Sequence, residues 1–311
     1  MADLADPRIH VDLAHLQALK LMARHISFLP GQPVDSILNG RHASRLKGRG
    51  LNFEELRHYS IGDDVRTIDW KVTARAREPY VRVYTEERDR PALLIVDQRM
   101  SMFFGSKRNM KSVTAAEAAA LAAFAIREQG DRVGGIVFND ESVIEHRPQS
   151  SLKALNRFLA SVASANSALS ADHIPAQSML LNQPLAAASR IAKTKGLVLV
   201  FSDFDGMDAT TEKILRALAQ HNDVILFTVT DPIADDMPKD LDIVVSDGQL
   251  QAQLAIGSDQ TRKKLQDFAS ARLKTLLEIS QKYGIPVLPL TAAAETLPQI
   301  LALMGARRKP T

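Results

Sequence analysis

The chain has 311 residues, 45% of them hydrophobic and 24% charged, with a formal net charge of +3. That balance suits one large folded domain or two ordinary ones and excludes an intrinsically disordered chain. Cysteine is absent and aromatic residues make up only 5%. This excludes a disulfide framework, a cysteine-based zinc site and thiol chemistry, weakens any case for base stacking on nucleic acid, and makes a reducing cytoplasm the expected setting.

Residues 11–25 read as an amphipathic helix with Leu13, Leu16, Leu19 and Met22 on one face. The first 26 residues hold no uninterrupted apolar core, so no signal peptide is expected, and no run long enough for a membrane span occurs along the chain. "FLPGQPVDSILNGRHASRLKGRG" breaks regular patterning with Gly, Pro and Ser, and "PYVRVYTEER" alternates as a half-buried strand does.

After residue 90 the rhythm changes. "PALLIVD" (91–97) is a continuous apolar run, the mark of a strand buried on both faces. "NMKSVTAAEAAALAAFAIREQG" is Ala-rich and helical, and Gly130 stops it. "RVGGIVFN" and "VIEHR" read as strands joined by the turn "DES", and a helix is expected over 151–164. Another helix over 182–195 closes at Gly196, and "LVLVFSD" (197–203) repeats the buried-strand pattern. A helix (210–221), the strand "VILFTVT", a hairpin from "LDIVVSD" and "QLQAQLAI", a long helix (258–282), the strand "IPVLPL" and a last helix (294–305) complete the chain. Strand and helix in alternation predict an α/β fold, a doubly wound and mostly parallel sheet covered on both faces. The expected division is a β-rich N-terminal part, residues 1–90, followed by the sheet domain, residues 91–311.

In an open parallel sheet, ligands bind at the carboxyl ends of the strands, where strand order reverses. Two apolar strands here end in aspartate, Asp97 and Asp203, and Ser101 follows Asp97 by about one turn. Two carboxylates and a hydroxyl suit Mg²⁺; strand-end aspartates that merely cap the next segments are the plainer alternative.

"DQRMS" before a helix, with "FSDFDG" about a hundred residues later, resembles a von Willebrand factor type A domain. The metal-ion-dependent adhesion site of that family uses D-x-S-x-S, a distant threonine and a later aspartate. By that resemblance Asp97, Ser101 and Asp203 match, Arg99 replaces the first serine, and Ser178 is a weak candidate for the threonine. The stretch from Gly40 to Asp89 closely resembles the signature of the bacterial family catalogued as domain of unknown function 58. Gly48, Gly50, Phe53, Arg57, Tyr59, Gly62, Asp63, Asp64, Arg66, Ile68, Asp69, Trp70, Ala74 and Arg75 fit its pattern, and "TDPIADDMP" resembles a later element. Proteins of that family often accompany MoxR-type AAA+ ATPases, which implies a chaperone-like adaptor with a protein partner and no enzymatic role. Arg57, Arg66 and Arg75 with Asp63 and Asp69 have the chemistry of bidentate ion pairs, and Trp70 offers a face on which a guanidinium stacks. Such a network either pins the N-terminal part to the sheet or recognises a partner.

Arg99 decides what the aspartates do. A unit cation and a divalent ion about 4 Å apart repel by roughly 8 kcal/mol at an effective dielectric near 20. Either Arg99 swings outward and leaves a metal site with water in place of the hydroxyl, or its guanidinium pairs with Asp97 and Asp203 as a built-in cation. The second outcome is favoured, so no cofactor is expected and Mg²⁺ binding is weak or lost. Arg99 is alternatively a direct contact for a partner's acidic side chain. A rival reading comes from "LVLVFSDFDG", which resembles the first motif of haloacid-dehalogenase-type phosphohydrolases, with Asp203 as nucleophile, Asp205 as general acid and Mg²⁺ between them. Against it, 202 residues precede the motif, and the acidic pair Asp235 and Asp236 has no obvious apolar strand beside it.

Overall fold

The computed structural model describes residues 6–26, 33–34, 44–45, 51–60, 68–86, 90–172, 177–232, 242–246, 251–255 and 259–304. In chain order the strands are β1 (Pro33–Val34), β2 (Ser44–Arg45), β3 (Leu51–His58), β4 (Tyr80–Glu86), β5 (Pro91–Asp97), β6 (Arg132–Phe138), β7 (Val143–Gln149), β8 (Leu197–Ser202), β9 (Asp223–Thr230), β10 (Asp242–Ser246), β11 (Gln251–Ala255) and β12 (Val287–Thr291). The helices are α1 (Leu13–Ala18), α2 (Trp70–Ala76), α3 (Lys111–Glu128), α4 (Leu152–Ser167), α5 (Asn182–Ile191), α6 (Ala209–His221), α7 (Asp259–Tyr283) and α8 (Thr296–Met304).

The central sheet has the order β12-β9-β8-β5-β6-β7. Its pairings are parallel except at the edge, where β7 runs antiparallel to β6. Successive residues of a strand face opposite sides, so an apolar run feeds two cores. Leu94, Val96, Leu199 and Phe201 join a layer with α3 and α4, whereas Leu93, Ile95, Val198 and Val200 join a layer that holds Leu185 of α5, Leu215 of α6 and Leu276 of α7. The result is the expected α/β fold, a mostly parallel sheet with helices on both faces.

Helix α3 shows why its sequence is so rich in alanine. Fourteen of its 18 residues are buried, because it is covered on one side by the sheet and on the other by the N-terminal helical segment, α4 and α8. Small side chains let a helix be approached closely from every side. Gly135 of β6 does the same for α4: an added Cβ would collide with the Phe158 ring and with the Leu94 carbonyl.

The N-terminal segment contributes to this layer through Val11, Leu16, Ala23 and Ile26. The expected apolar face holds as far as Leu16, with Leu13 and Leu19 partly buried, but Met22 is 48% exposed. The α-helix tightens into a 3₁₀ turn at Leu19–His25. Its three-residue period brings Ala23 and Ile26 inward where a 3.6-residue period favours Met22. Helix α5 also ends before the expected Gly196, because the chain turns there to enter β8 beside Pro91 and Asn222.

Strands β3 and β4 form a separate antiparallel hairpin, from Leu51 opposite Glu86 to His58 opposite Tyr80, and α2 lies in the connection. The late hairpin of β10 and β11 is present as read from the sequence. Among the described residues no helix is long and apolar enough to cross a membrane.

Candidate functional site

Strands β5, β6 and β7 proceed to one side of the sheet, and β8, β9 and β12 to the other. Strand order therefore reverses between β5 and β8, and the crevice of a doubly wound sheet opens at their carboxyl ends. Asp97 ends β5 and Asp203 directly follows β8, so the two carboxylates meet there, 0% and 4% exposed. Phe204 fixes the aim of Asp203. It takes a left-handed backbone conformation, φ 58°, with its ring fully buried and its N–H donating to Ser202 Oγ at 2.9 Å. For a bulky non-glycine residue this is a strained conformation, held only because the surrounding packing determines it.

Arg99 lies inside the crevice, 1% exposed. Its Nε donates to Asp97 Oδ1 at 3.0 Å and its Nη2 to Asp97 Oδ2 at 2.7 Å, a bidentate fork. The same Nη2 is 3.8 Å from Asp203 Oδ1, and Nη1 donates to the carbonyls of Met179 and Asp205. The guanidinium also rests over the Phe138 ring, 5.5 Å from its centroid. So enclosed, with Nε, Nη1 and Nη2 all engaged, Arg99 does not meet a partner's acidic side chain directly.

Two further cations complete the cluster, and neither was singled out in the sequence. Lys111, the first residue of α3, donates from Nζ to Asp203 Oδ2 at 2.7 Å. Arg272, on α7, pairs through Nη2 with Asp205 and donates from Nη1 to the Asp203 carbonyl at 3.3 Å. Burial pushes the Asp97 carboxyl up, against the pull of Arg99. Burial acts upward on Asp203 as well, but Lys111, Arg99 and Arg272 together hold its carboxyl well below the usual carboxylate range. Three cations face Asp97, Asp203 and Asp205, so the formal charges cancel within the chain.

This arrangement bears on whether Mg²⁺ fits. That ion requires a near-octahedral set of oxygens at about 2.0–2.1 Å. Asp97 Oδ1 accepts from the backbone N–H and Nε of Arg99, and Oδ2 from Arg99 Nη2 and the Ser202 hydroxyl at 2.6 Å. Asp203 Oδ1 accepts from the Asp205 N–H at 3.0 Å, and Oδ2 from Lys111. A divalent ion would have to displace a guanidinium or an ammonium, so the residues present do not fit it.

The other sequence candidates are distributed as follows. Ser101 Oγ donates to Asp203 Oδ1 over a long 3.5 Å. Ser178 donates instead to Asp140 Oδ1 at 2.9 Å; that carboxylate also accepts from the Met100 N–H at 2.6 Å and so clamps the Arg99 loop to the 178–179 segment. Asp205, the general acid of the phosphohydrolase reading, is paired with Arg272. In the signature, Asp69 caps α2 by accepting from the N–H groups of Lys71 and Val72. Tyr59 joins the hairpin end through its N–H to the Pro79 carbonyl, and Arg57 donates to the His58 carbonyl at 3.2 Å. Trp70 is 69% exposed and Arg75 is exposed in the last turn of α2. Gly48, Gly50, Gly62, Asp63, Asp64, Arg66, Asp235, Asp236 and most of "TDPIADDMP" lie outside the described residues, as does the side chain of Phe53.

Comparison with known proteins adds a family. The model described as "Protein of unknown function DUF58" matches residues 55–275. The uncharacterized protein Rv1480 of Mycobacterium tuberculosis is 27% identical over an alignment of 313 residues, spanning 99% of this chain and 92% of that protein. Among solved structures, the conserved hypothetical protein BatB from Bacteroides thetaiotaomicron is 14% identical with a TM-score of 0.36, covering 63% of this chain and 98% of that one. A von Willebrand factor type A protein from Catenulispora acidiphila is 10% identical with a TM-score of 0.37, covering 73% of this chain and 44% of that one.

Proposed function

The chain belongs to the DUF58 family, and from that premise we propose that it is a non-enzymatic, cytoplasmic protein-interaction module whose adhesion-type crevice carries its own cations in place of a metal ion. The observation that carries this reading is the buried pairing of Asp97 with Arg99, and of the buried Asp203 with the partly buried Lys111, at the switch point of the sheet. A metal-loaded crevice holds a partner's carboxylate through an open coordination position. A crevice neutralised from within has no such position; its charges hold the β5, β8 and α7 segments together, and the partner is met elsewhere on the surface. The partner class we propose is a MoxR-type AAA+ ATPase, with the module acting as an adaptor in the assembly of other proteins. The family resemblance of the signature segment supports that choice.

The test is co-elution of the purified chain with a MoxR-type ATPase from the same cell, in nucleotide-free buffer, with EDTA or with Mg²⁺. A complex of equal yield in both buffers is expected. A complex that forms only with Mg²⁺ contradicts the built-in cations, and absence of a complex in either buffer contradicts the proposed partner. Turnover of p-nitrophenyl phosphate that Asp203→Asn abolishes would replace the whole reading with the phosphohydrolase one.

A further inference from the structure

Helix α2 is seven residues long and none of its residues is buried. Most protein helices owe their stability to a packed apolar face, so this one is unusual in what holds it. Asp69, itself buried, caps its first turn by accepting from two backbone N–H groups. Thr73 Oγ1 accepts from the Tyr80 N–H at 3.0 Å and ties the helix to β4. Arg77 ends it in a left-handed conformation, φ 61°, which a residue other than glycine adopts at a cost. The chain thus fixes the position of a helix that does nothing for the core.

What the helix displays is Trp70, the only tryptophan of the chain, 69% exposed. Lys71, Arg75 and Arg77 are exposed around it, and none of the three has an ion-pair partner among the described residues. Their placement opposes the helix's own preferences. Lys71 lies in the first turn, where the macrodipole disfavours a cation. Lys71 and Arg75 are four residues apart, so two like charges face each other along one side. Leu56 of β3, 36% exposed, adds apolar surface on the hairpin. The nearby acid Glu78 is paired with His58 at 3.2 Å.

We infer that α2 is a docking element for an acidic protein surface: Trp70 enters an apolar recess of the partner while Lys71, Arg75 and Arg77 meet carboxylates around it. Exposed tryptophan and arginine are the residue types that carry most interface energy, and the positive charge, which has no ion-pair partner among the described residues, selects the sign of the partner. The inference deepens the interaction-module reading and rests on it. Aromatic residues are otherwise scarce on this chain, which favours a protein surface over stacking on nucleic acid bases.

The single tryptophan makes the test direct. The full chain is titrated with a glutamate-rich peptide containing leucines, with the same peptide bearing lysines in place of the glutamates, and with a duplex DNA oligonucleotide. The acidic peptide is expected to bind saturably, shift Trp70 emission to the blue and shield it from acrylamide. K71E/R75E should weaken that binding by about tenfold or more. W70A, followed by anisotropy of the labelled acidic peptide, should weaken it comparably. Circular dichroism checks that the variants keep the fold, as expected where no core residue changes. Equal binding of the two peptides, undiminished binding by K71E/R75E, or tighter binding of DNA overturns the inference. If the ATPase complex forms while these peptide results fail, the docking surface falls and the interaction module stands.

Discussion

In the crevice, Arg99 is 1% exposed and forked onto Asp97, and Lys111 reaches Asp203 at 2.7 Å. On α2, Lys71, Arg75 and Arg77 stand in water beside an exposed tryptophan. Both regions are rich in cations, yet burial gives them opposite meanings. A charge removed from water must be paired within the chain, so its loss is felt as instability. A charge left in water costs the fold little and is available to another molecule. The resemblance to an adhesion domain pointed to the strand-end aspartates as the place of contact. The contrast instead assigns the crevice to cohesion and the hairpin to recognition.

Substitutions test that contrast most sharply where the charges are deepest. Arg99→Ala leaves the buried Asp97 carboxylate without its fork and should cost about 3–5 kcal/mol in urea denaturation. A loss below about 1 kcal/mol would mean that the pair is not what holds the crevice. Lys111→Ala should cost less, about 2 kcal/mol, since Arg99 and Arg272 remain within 3.8 Å of Asp203.

An intermediate case joins α1 to α3. The His15 Nε2 is 2.8 Å from Glu117 Oε1, and the histidine is partly exposed. The bond to Glu117 raises the His15 pKa above its ordinary value, with burial opposing it. A raised folded-state pKa gives stability that is complete below the unfolded value near 6.5 and is lost as pH rises through the folded value. Wild-type stability should therefore fall slightly from pH 6 upward, by less than about 1 kcal/mol for so exposed a pair. In His15→Gln that slope should disappear; an unchanged slope would assign it to another group. The smallest effect on the fold belongs to α2. Lys71→Glu and Trp70→Ala should each shift stability by no more than about 0.5 kcal/mol, and a loss near that of Arg99→Ala would erase the distinction between the two regions.

Much of the architecture was legible because burial writes directly into composition. "ALLIV" and "LVLVF" lack polar alternation since both of their faces are covered, and those two runs alone located the crevice. Asp97 and Asp203 were readable for the same reason, as the carboxylates at the ends of buried apolar runs. Arg99 was readable as a cation two residues from one of them. Lys111 left only a faint signal, a lysine in the first turn of a helix where its charge opposes the dipole. Arg272 left none, since it arrives from α7, 69 residues after Asp203 in the chain. The signature residues are legible only in part: Asp69 accepts from two backbone N–H groups of α2 and Trp70 faces outward, while Asp63 and Arg66 of the expected network lie outside the described residues. A sequence pattern shows which residues can pair, and only the path of the chain shows which of them meet.

Calorimetric titration of the purified chain with Mg²⁺ and Mn²⁺ is the decisive measurement. The wild-type chain should give no saturable heat. Arg99→Ser alone should recover little, because Lys111 still occupies Asp203, and R99S/K111A should bind the ion. Saturable binding by the unaltered chain would show that the guanidinium and ammonium leave room for a metal, and would return the crevice to the role of a contact site.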